Sequence, residues 1–178
     1  NGQEIFKLSG HTKRINAIAI TPDNKYIISA SADKTLKVWN LKNRAEVLTI
    51  KGHKCSVNAV VVTPDGRFVI SGSSDTDIKV WDLNTGKEIA TLGEKRDLKT
   101  ILLQIEEDKD FDLDCIDSVY SLAVTPDSKK IIAGYDFGKI RVWDLENQVQ
   151  IFSRKCEAPV IWSIAITPDG KYILAASG

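Results

Sequence analysis

The chain is poor in the residues on which most catalytic and metal chemistry rests. It has two histidines, His11 and His53, and three cysteines, Cys55, Cys115 and Cys156, in 178 residues. Three thiols cannot all pair with one another. They show neither zinc-ligand spacing nor a Cys-x-x-Cys pair, which reads as reduced cysteine in an intracellular, cytoplasmic protein. There is no Asn-x-Ser/Thr acceptor. A phosphate loop is excluded, because Trp81 stands where its first glycine is needed and Glu88 follows Gly86-Lys87. His-Glu-x-x-His and Gly-x-Ser-x-Gly are also missing. The formal net charge is zero, so no global field draws the chain to nucleic acid or to an anionic membrane. Apolar runs such as Ile15–Ile20 are far too short to cross a bilayer. No basic start followed by an apolar stretch marks a secretory leader. A hydrophobic content of 43% against 27% charged residues places the chain among folded globular proteins, with enough length for a sizeable core. No cofactor and no metal are expected.

What is present is repetition. Thr-Pro-Asp occurs at Thr21, Thr63, Thr125 and Thr167, each time after an apolar run, with steps of 42 (63 − 21), 62 (125 − 63) and 42 (167 − 125). Trp39, Trp81 and Trp143, each followed by Asn or Asp, keep the same first two steps. A fixed period near forty marks a repeat protein. Gly10–Ile50 aligns with Gly52–Leu92 without a gap, with 17 identities in 41 positions. Each unit holds four short segments, 15–20, 26–31, 35–40 and 45–50 in the first, rich in β-branched and aromatic residues and too short for helices. Several, such as Val57–Val62, are apolar at nearly every position, as in strands covered on both faces. The turns carry Pro where φ is preset and Gly66, Asn24 or, less comfortably, Ser128 where φ is positive. Asn84-Thr85-Gly86-Lys87 is a further turn of this kind. Units that cannot bury both faces alone stack on their neighbours, which predicts an all-β propeller of four-stranded antiparallel blades.

Gly10-His11, Ser31-Ala32-Asp33 and Trp39-Asn40, repeated in register as Gly52-His53, Ser73-Ser74-Asp75 and Trp81-Asp82, resemble the signature of the WD-repeat β-propellers. The resemblance covers nearly the whole chain, with repeats at about 10–50, 52–92, 114–153 and 156–178 and an insertion at 94–117. It implies a protein-interaction platform rather than an enzyme. It also implies that His11, Ser31, Asp33 and Trp39, and likewise His53, Ser73, Asp75 and Trp81, form a buried hydrogen-bonded chain in each blade. The residue types suit this: an indole N–H needs an acceptor, a hydroxyl both accepts and donates, and imidazole passes the chain to a carboxylate. The competing reading is a hydrolase using His11, Ser31 and Asp33 as base, nucleophile and orienting acid. The set occurs twice at one spacing, which favours structure over catalysis. The third and fourth units break the pattern, with Cys115, Phe137 and Glu157 at the corresponding positions, and are expected to lack the network and to be locally less stable.

The insertion carries nine acids and four bases, net −5, leaving 15 acids and 20 bases, net +5, elsewhere. Leu98, Ile101, Leu102 and Ile105 are spaced for a short amphipathic helix. Asp108, Asp110, Asp112 and Asp114 hint at calcium, but Leu113 and Val119 occupy the template's Gly and Glu positions, so a solvated acidic loop is preferred.

The resemblance further implies that partners use the face made by the loops between units and by the turns between second and third strands. Mapped here, that face carries Lys13, Arg14, Asn16, Lys34, Lys54, Ser56, Asn58, Tyr120, Tyr135, Asp136, Phe137 and Trp162. Tyr120 and Trp162 fill the slot of Asn16 and Asn58, where an aromatic either anchors a ligand or is buried between blades. Other proteins or peptides are the expected partners, not nucleic acid or membrane; a nucleic-acid-binding propeller using Lys13, Arg14, Lys34 and Lys54 is an alternative without a recognition motif. Glu4–Leu8 reads as the outer strand of a preceding blade, and the fourth unit stops before its third strand. Rings of this type usually carry about six to eight blades. Further blades from a longer parent chain or a second copy are therefore expected, together with an attached domain to regulate or localise.

Overall fold

A computed structural model describes residues 3–93 and 117–178. Fourteen strands and no helix occur among them. Strands β1 (Ile15–Ile20), β2 (Tyr26–Ser31), β3 (Thr35–Asn40) and β4 (Ala45–Lys51) form the first sheet in that order. Strands β5 (Val57–Val62), β6 (Phe68–Ser73), β7 (Ile78–Asp82) and β8 (Glu88–Leu92) form the second. The third comprises β9 (Val119–Val124), β10 (Lys130–Tyr135), β11 (Lys139–Asp144) and β12 (Val149–Lys155). The fourth holds β13 (Ile161–Ile166) and β14 (Ile173–Ser177). Every pairing is antiparallel. The expected sheets are therefore the observed ones. Glu4–Leu8 is corrected: it forms no strand. No sheet of a preceding blade stands among the described residues to pair with it, and Phe6 lies under the Arg44 guanidinium, 5.0 Å from its ring centre.

The Thr-Pro-Asp turns are built by their own side chains. Thr21 Oγ1 donates to Asp23 Oδ1 (2.6 Å) and accepts the Tyr26 N–H (3.0 Å), while Asp23 accepts the Lys25 N–H (3.1 Å). The residue after Asp is left-handed in all four copies: Asn24, Gly66, Ser128 and Gly170, at φ 57°, 71°, 59° and 71°. Ser128 tolerates a slot better suited to Gly or Asn, and its hydroxyl accepts the Asp65 N–H of the preceding blade at 3.2 Å.

The core lies between sheets rather than within one. One cluster joins Ile28, Leu36, Val38 and Ile50 of the first blade to Val57, Val60, Val69 and Trp81 of the second. A second joins blades two and three, and a third joins blades three and four. Strands β1, β5, β9 and β13 stack in sequence at the inner edge. The approach is close: a Cβ at Gly72 would collide with Val119, and one at Gly134 with Ile161 and Ser121. At the two ends of the stack apolar side chains stand open, Ile18 at 64% and Leu174 at 58% exposure.

Bulges recur in phase. In β1, β5, β9 and β13 the register skips one residue, namely Asn16, Asn58, Tyr120 and Trp162. A bulge re-aims the extra side chain out of the sheet, and this places these four residues at the loop face.

Candidate functional site

The loop face is assembled by backbone bonds that tie each entry loop to the turn between second and third strands: Ala32 N–H to Arg14 O, Ser74 N–H to Ser56 O, Asp136 N–H to Ser118 O. Beneath it run two buried chains. In blade one, Trp39 Nε1 donates to Ser29 Oγ (2.8 Å), Ser29 Oγ meets His11 Nε2 (2.7 Å), and His11 Nδ1 meets Asp33 (2.8 Å). Blade two repeats this with Trp81, Ser71, His53 and Asp75 at 2.8, 2.7 and 3.0 Å. One tautomer satisfies every step: serine donates to Nε2, and Nδ1–H donates to the carboxylate. The aspartates also accept backbone N–H groups, Thr12 and Thr35 on Asp33 and Lys54 and Asp77 on Asp75. Burial opposes ionisation of Asp33, but hydrogen bonds from Thr35, Thr12 and His11 outweigh it and hold the carboxyl well below its usual range. Asp75 is likewise opposed by burial and pulled down by His53 and Lys54, to about 2.

The serine is a correction. The sequence reading placed Ser31 and Ser73 in the chain; the hydroxyls that join indole to imidazole are Ser29 and Ser71. Trp39 pairs opposite Ile27, so Ser29 is its diagonal neighbour on the same face, and Ser31 lies one two-residue step further off. Ser31 instead donates to Lys13 O (3.2 Å) and accepts the Asp33 N–H (3.1 Å), and Ser73 accepts the Asp75 N–H (3.1 Å). These bonds shape the turn. The set His11, Ser31 and Asp33 is therefore not assembled; Ser29, His11 and Asp33 do make a hydroxyl–imidazole–carboxylate chain, but Ser29 and the His11 side chain are each 3% exposed and the hydroxyl also accepts the Trp39 N–H, which leaves no open cleft for a substrate there.

Blade three was expected to lack the indole–hydroxyl–imidazole–carboxylate network, and among the described residues it does. Ala133 replaces the serine. The N–H of Trp143 and the hydroxyl of Tyr135 lie buried beside one another without a hydrogen bond of normal geometry. A different cluster takes over. Asp117 pairs with Lys139 (2.6 Å) and Arg141 (3.2 Å), and the Arg141 guanidinium stands 4.7 Å from the Tyr135 ring centre. Asp117 enters from the loop and had not been singled out; its left-handed backbone (φ 62°) leaves no trace in the sequence pattern. Burial pushes Asp136 above the usual carboxylate range.

Of the residues expected to face a partner, Lys13, Arg14, Lys34 and Lys54 are exposed, as is Phe137. Asn16 and Asn58 are half-buried, and their amides also clip one blade to the next. Asn16 Nδ2 donates to Ser56 Oγ and Val57 O (2.9 and 2.8 Å), and Asn58 Nδ2 to Ser74 Oγ and Val119 O (3.0 and 3.1 Å). At the next junction Tyr120 and Trp162 meet edge to face at 5.0 Å, and Ser121 Oγ donates to Ile161 O (3.0 Å). Trp162 stays 57% exposed. It lines a cleft of about 410 Å³ with Tyr120, Arg14, Ile15, Asn16 and Asn58. Asp136 bridges to Val160, which brings the Phe137 turn beside Trp162. Tyr135 points inward and is fully buried. Of the thiols, Cys55 and Cys156 are half-buried. Cys115, the amphipathic segment at 98–105 and the aspartates at 108–114 lie outside the described residues. No described helix is long and apolar enough to cross a membrane.

The profile of the WD domain, G-beta repeat (WD40), matches residues 2–40, 44–82, 113–144 and 147–178. The chain belongs to this family, whose members generally serve as platforms for protein interaction. It is similar to Lissencephaly-1 homolog 1 of Paramecium tetraurelia, 42% identical over 45 residues, 25% of this chain and 11% of that protein. It is similar to nuclear distribution protein PAC1 of Scheffersomyces stipitis, 50% identical over 42 residues, 24% and 8% of the two chains. Ribosome assembly protein 4 of Saccharomyces cerevisiae is 44% identical over 36 residues, 20% and 7%. The matched segments thus span about a tenth of these relatives' length or less.

Proposed function

We propose that this chain is a non-catalytic scaffold, part of a larger propeller in the cytoplasm, that holds a partner protein or peptide on its loop face and thereby regulates or localises an attached domain. The observation that carries this is the exposed Trp162, propped edge to face on Tyr120 over a cleft shared with Arg14. An exposed tryptophan backed by a second ring offers a large, rigid anchor, the residue type that dominates binding hot spots. Phe137 extends the apolar part of the patch, Arg14 brings positive charge into the cleft, and Lys13, Lys34 and Lys54 are exposed in the loops of blades one and two. A partner segment with an apolar anchor and acidic flanks fits this chemistry.

The test is selection of peptides from a displayed random library on the immobilised chain. Binders are expected to weaken at least about tenfold on Trp162→Ala, a hot-spot-sized loss, and less on Lys34→Ala, with the melting temperature unchanged. Binders indifferent to Trp162, Phe137 and the four cations would remove this reading. Strongly salt-dependent binding of random-sequence RNA or DNA would put the nucleic-acid alternative in its place.

A further inference from the structure

The first two junctions differ on the turn face, the end of the stack opposite the loop face. At each, the outer strand of one blade meets the turn after the third strand of the next. At the first junction Leu48 fills the space between them, and a Cβ on Gly86 of the next blade would stand 2.6 Å from Leu48 Cδ2. The remaining cleft, bordered by Tyr26, Val47, Leu83 and Asn84, is about 170 Å³. At the second junction the same two positions hold Ala90 and Gln148. The backbone is left-handed at Gly86 and Gln148 alike, φ 67° and 56°, so the difference lies in the side chains. Without the leucine the cleft is about 430 Å³, floored by Phe68, Val80, Ala90 and Leu145, and Ile89 at its lip is 51% exposed. That volume is in the range of ligand-binding clefts, roughly 300–1,000 Å³. Both sheets that form it have all four strands, so neither wall awaits another strand.

We propose that this cleft between blades two and three is a second partner site, on the turn face, and that it takes an extended peptide segment of little net charge that seats one leucine over Ala90. Leucine is the side chain assigned because it fills the same slot at the first junction. The rim sets the charge: Arg67 and Lys129 alternate there with Asp65, Asp127 and Glu146. Asp65 and Asp127 each hold their own turn together through Oδ1. The Arg67 guanidinium stands 5.0 Å from the Phe68 ring centre. Two cations against three carboxylates favour no strongly charged ligand, so recognition rests on burial of the apolar anchor. Among the described residues β8 ends its sheet, and its outer edge offers main-chain bonds beside the cleft. A scaffold with separate sites on its two faces holds two partners at once. The proposal does not rest on the loop-face reading, because the two clefts share no residue.

The experiment selects displayed random peptides on the full chain carrying Trp162→Ala, so that the loop-face anchor contributes nothing, and titrates the best of them into the unaltered chain. Selected peptides should share a leucine and bind one to one, with amide NMR shifts centred on Phe68, Ile89, Ala90 and Leu145. Replacing that leucine by alanine should weaken binding at least about tenfold, as for one buried leucine side chain. Affinity should change less than about twofold between about 0.1 M and about 1 M salt, where exposed charges become screened. Ala90→Leu combined with Gln148→Gly copies the first junction into the second and should cost at least about tenfold in affinity with the melting temperature no lower. Ile89→Asp, at an exposed position, should give the same loss should that pair disturb packing. Peptides indifferent to both variants, binding that collapses with salt, or no saturable peptide at all would overturn the proposal. So would a dimer in sedimentation that Ile89→Asp dissociates, which would give the cleft to a second copy.

Discussion

Blades two and three occupy equivalent positions, each with a sheet packed on both faces, yet their polar interiors differ. Blade two runs indole, hydroxyl, imidazole and carboxylate in one chain. Blade three has an alanine for the hydroxyl and turns Arg141 to a loop aspartate. Both form the same four strands in the same order with the same bulges. Burial between neighbouring sheets is thus sufficient to specify the blade, and the polar chain adds local stability to it. Buried donors must still be satisfied, and blade three meets that demand less completely.

The comparison can be broken at the serine. Ser71→Ala should destabilise by about 2 kcal/mol, because two buried polar groups lose their partner. The reverse change, Ala133→Ser, should stabilise by about 1 kcal/mol by giving Trp143 an acceptor. Chemical denaturation of the two variants checks both signs; a stabilising Ser71→Ala would refute the contribution of the chain.

Acid titration sharpens it. The pKa of Asp75 is depressed from 3.8 to about 2, so its contribution is present above the unfolded value and is lost as pH falls from about 4 to about 2. Asp136 is raised, so folding binds its proton more tightly and stability increases as pH falls through the folded pKa toward 3.8. Asp75→Asn should therefore flatten the acid limb of the stability curve, and Asp136→Asn should raise stability at pH 7 but not near pH 3. Equal pH profiles for both variants would contradict the contrast.

Blade one against blade two supplies a smaller effect. Thr35 donates its hydroxyl to Asp33, whereas Asp77 in that phase is raised by burial and by the neighbouring Asp75. Asp77→Thr should gain about 1 kcal/mol at neutral pH by removing that repulsion and adding a hydrogen bond. At the junctions, Asn58→Ala should cost about 1 kcal/mol, as one bond to Val119 O of the next blade and one to Ser74 Oγ of its own are lost.

The fold was legible because period, turn and strand all agreed. Thr-Pro-Asp punctuates the first hairpin of each blade, and the inner β-branched runs such as Val57–Val62 and Phe68–Ser73 are covered by neighbouring sheets. The site was less so. Ser29 was within reach, since it is identical in both aligned units and lies on the tryptophan's face, but family resemblance drew attention to Ser31. The interblade bonds of Asn16 and Asn58 were not legible, because a bulge of one residue is invisible in an alternating pattern. Arg141 matches the Lys37 and Lys79 positions, yet those lysines reach Glu46 and Glu88 on the outer strand, where blade three has Gln150. Only coordinates reveal that Asp117 replaces them.

Native-state hydrogen exchange of the central strands tests the core proposition most directly. The amides of β6 and β7 should exchange more slowly than those of β10 and β11, and Ser71→Ala should bring them to the faster rate. Equal protection in the unaltered chain, or slower exchange in blade three, would contradict it.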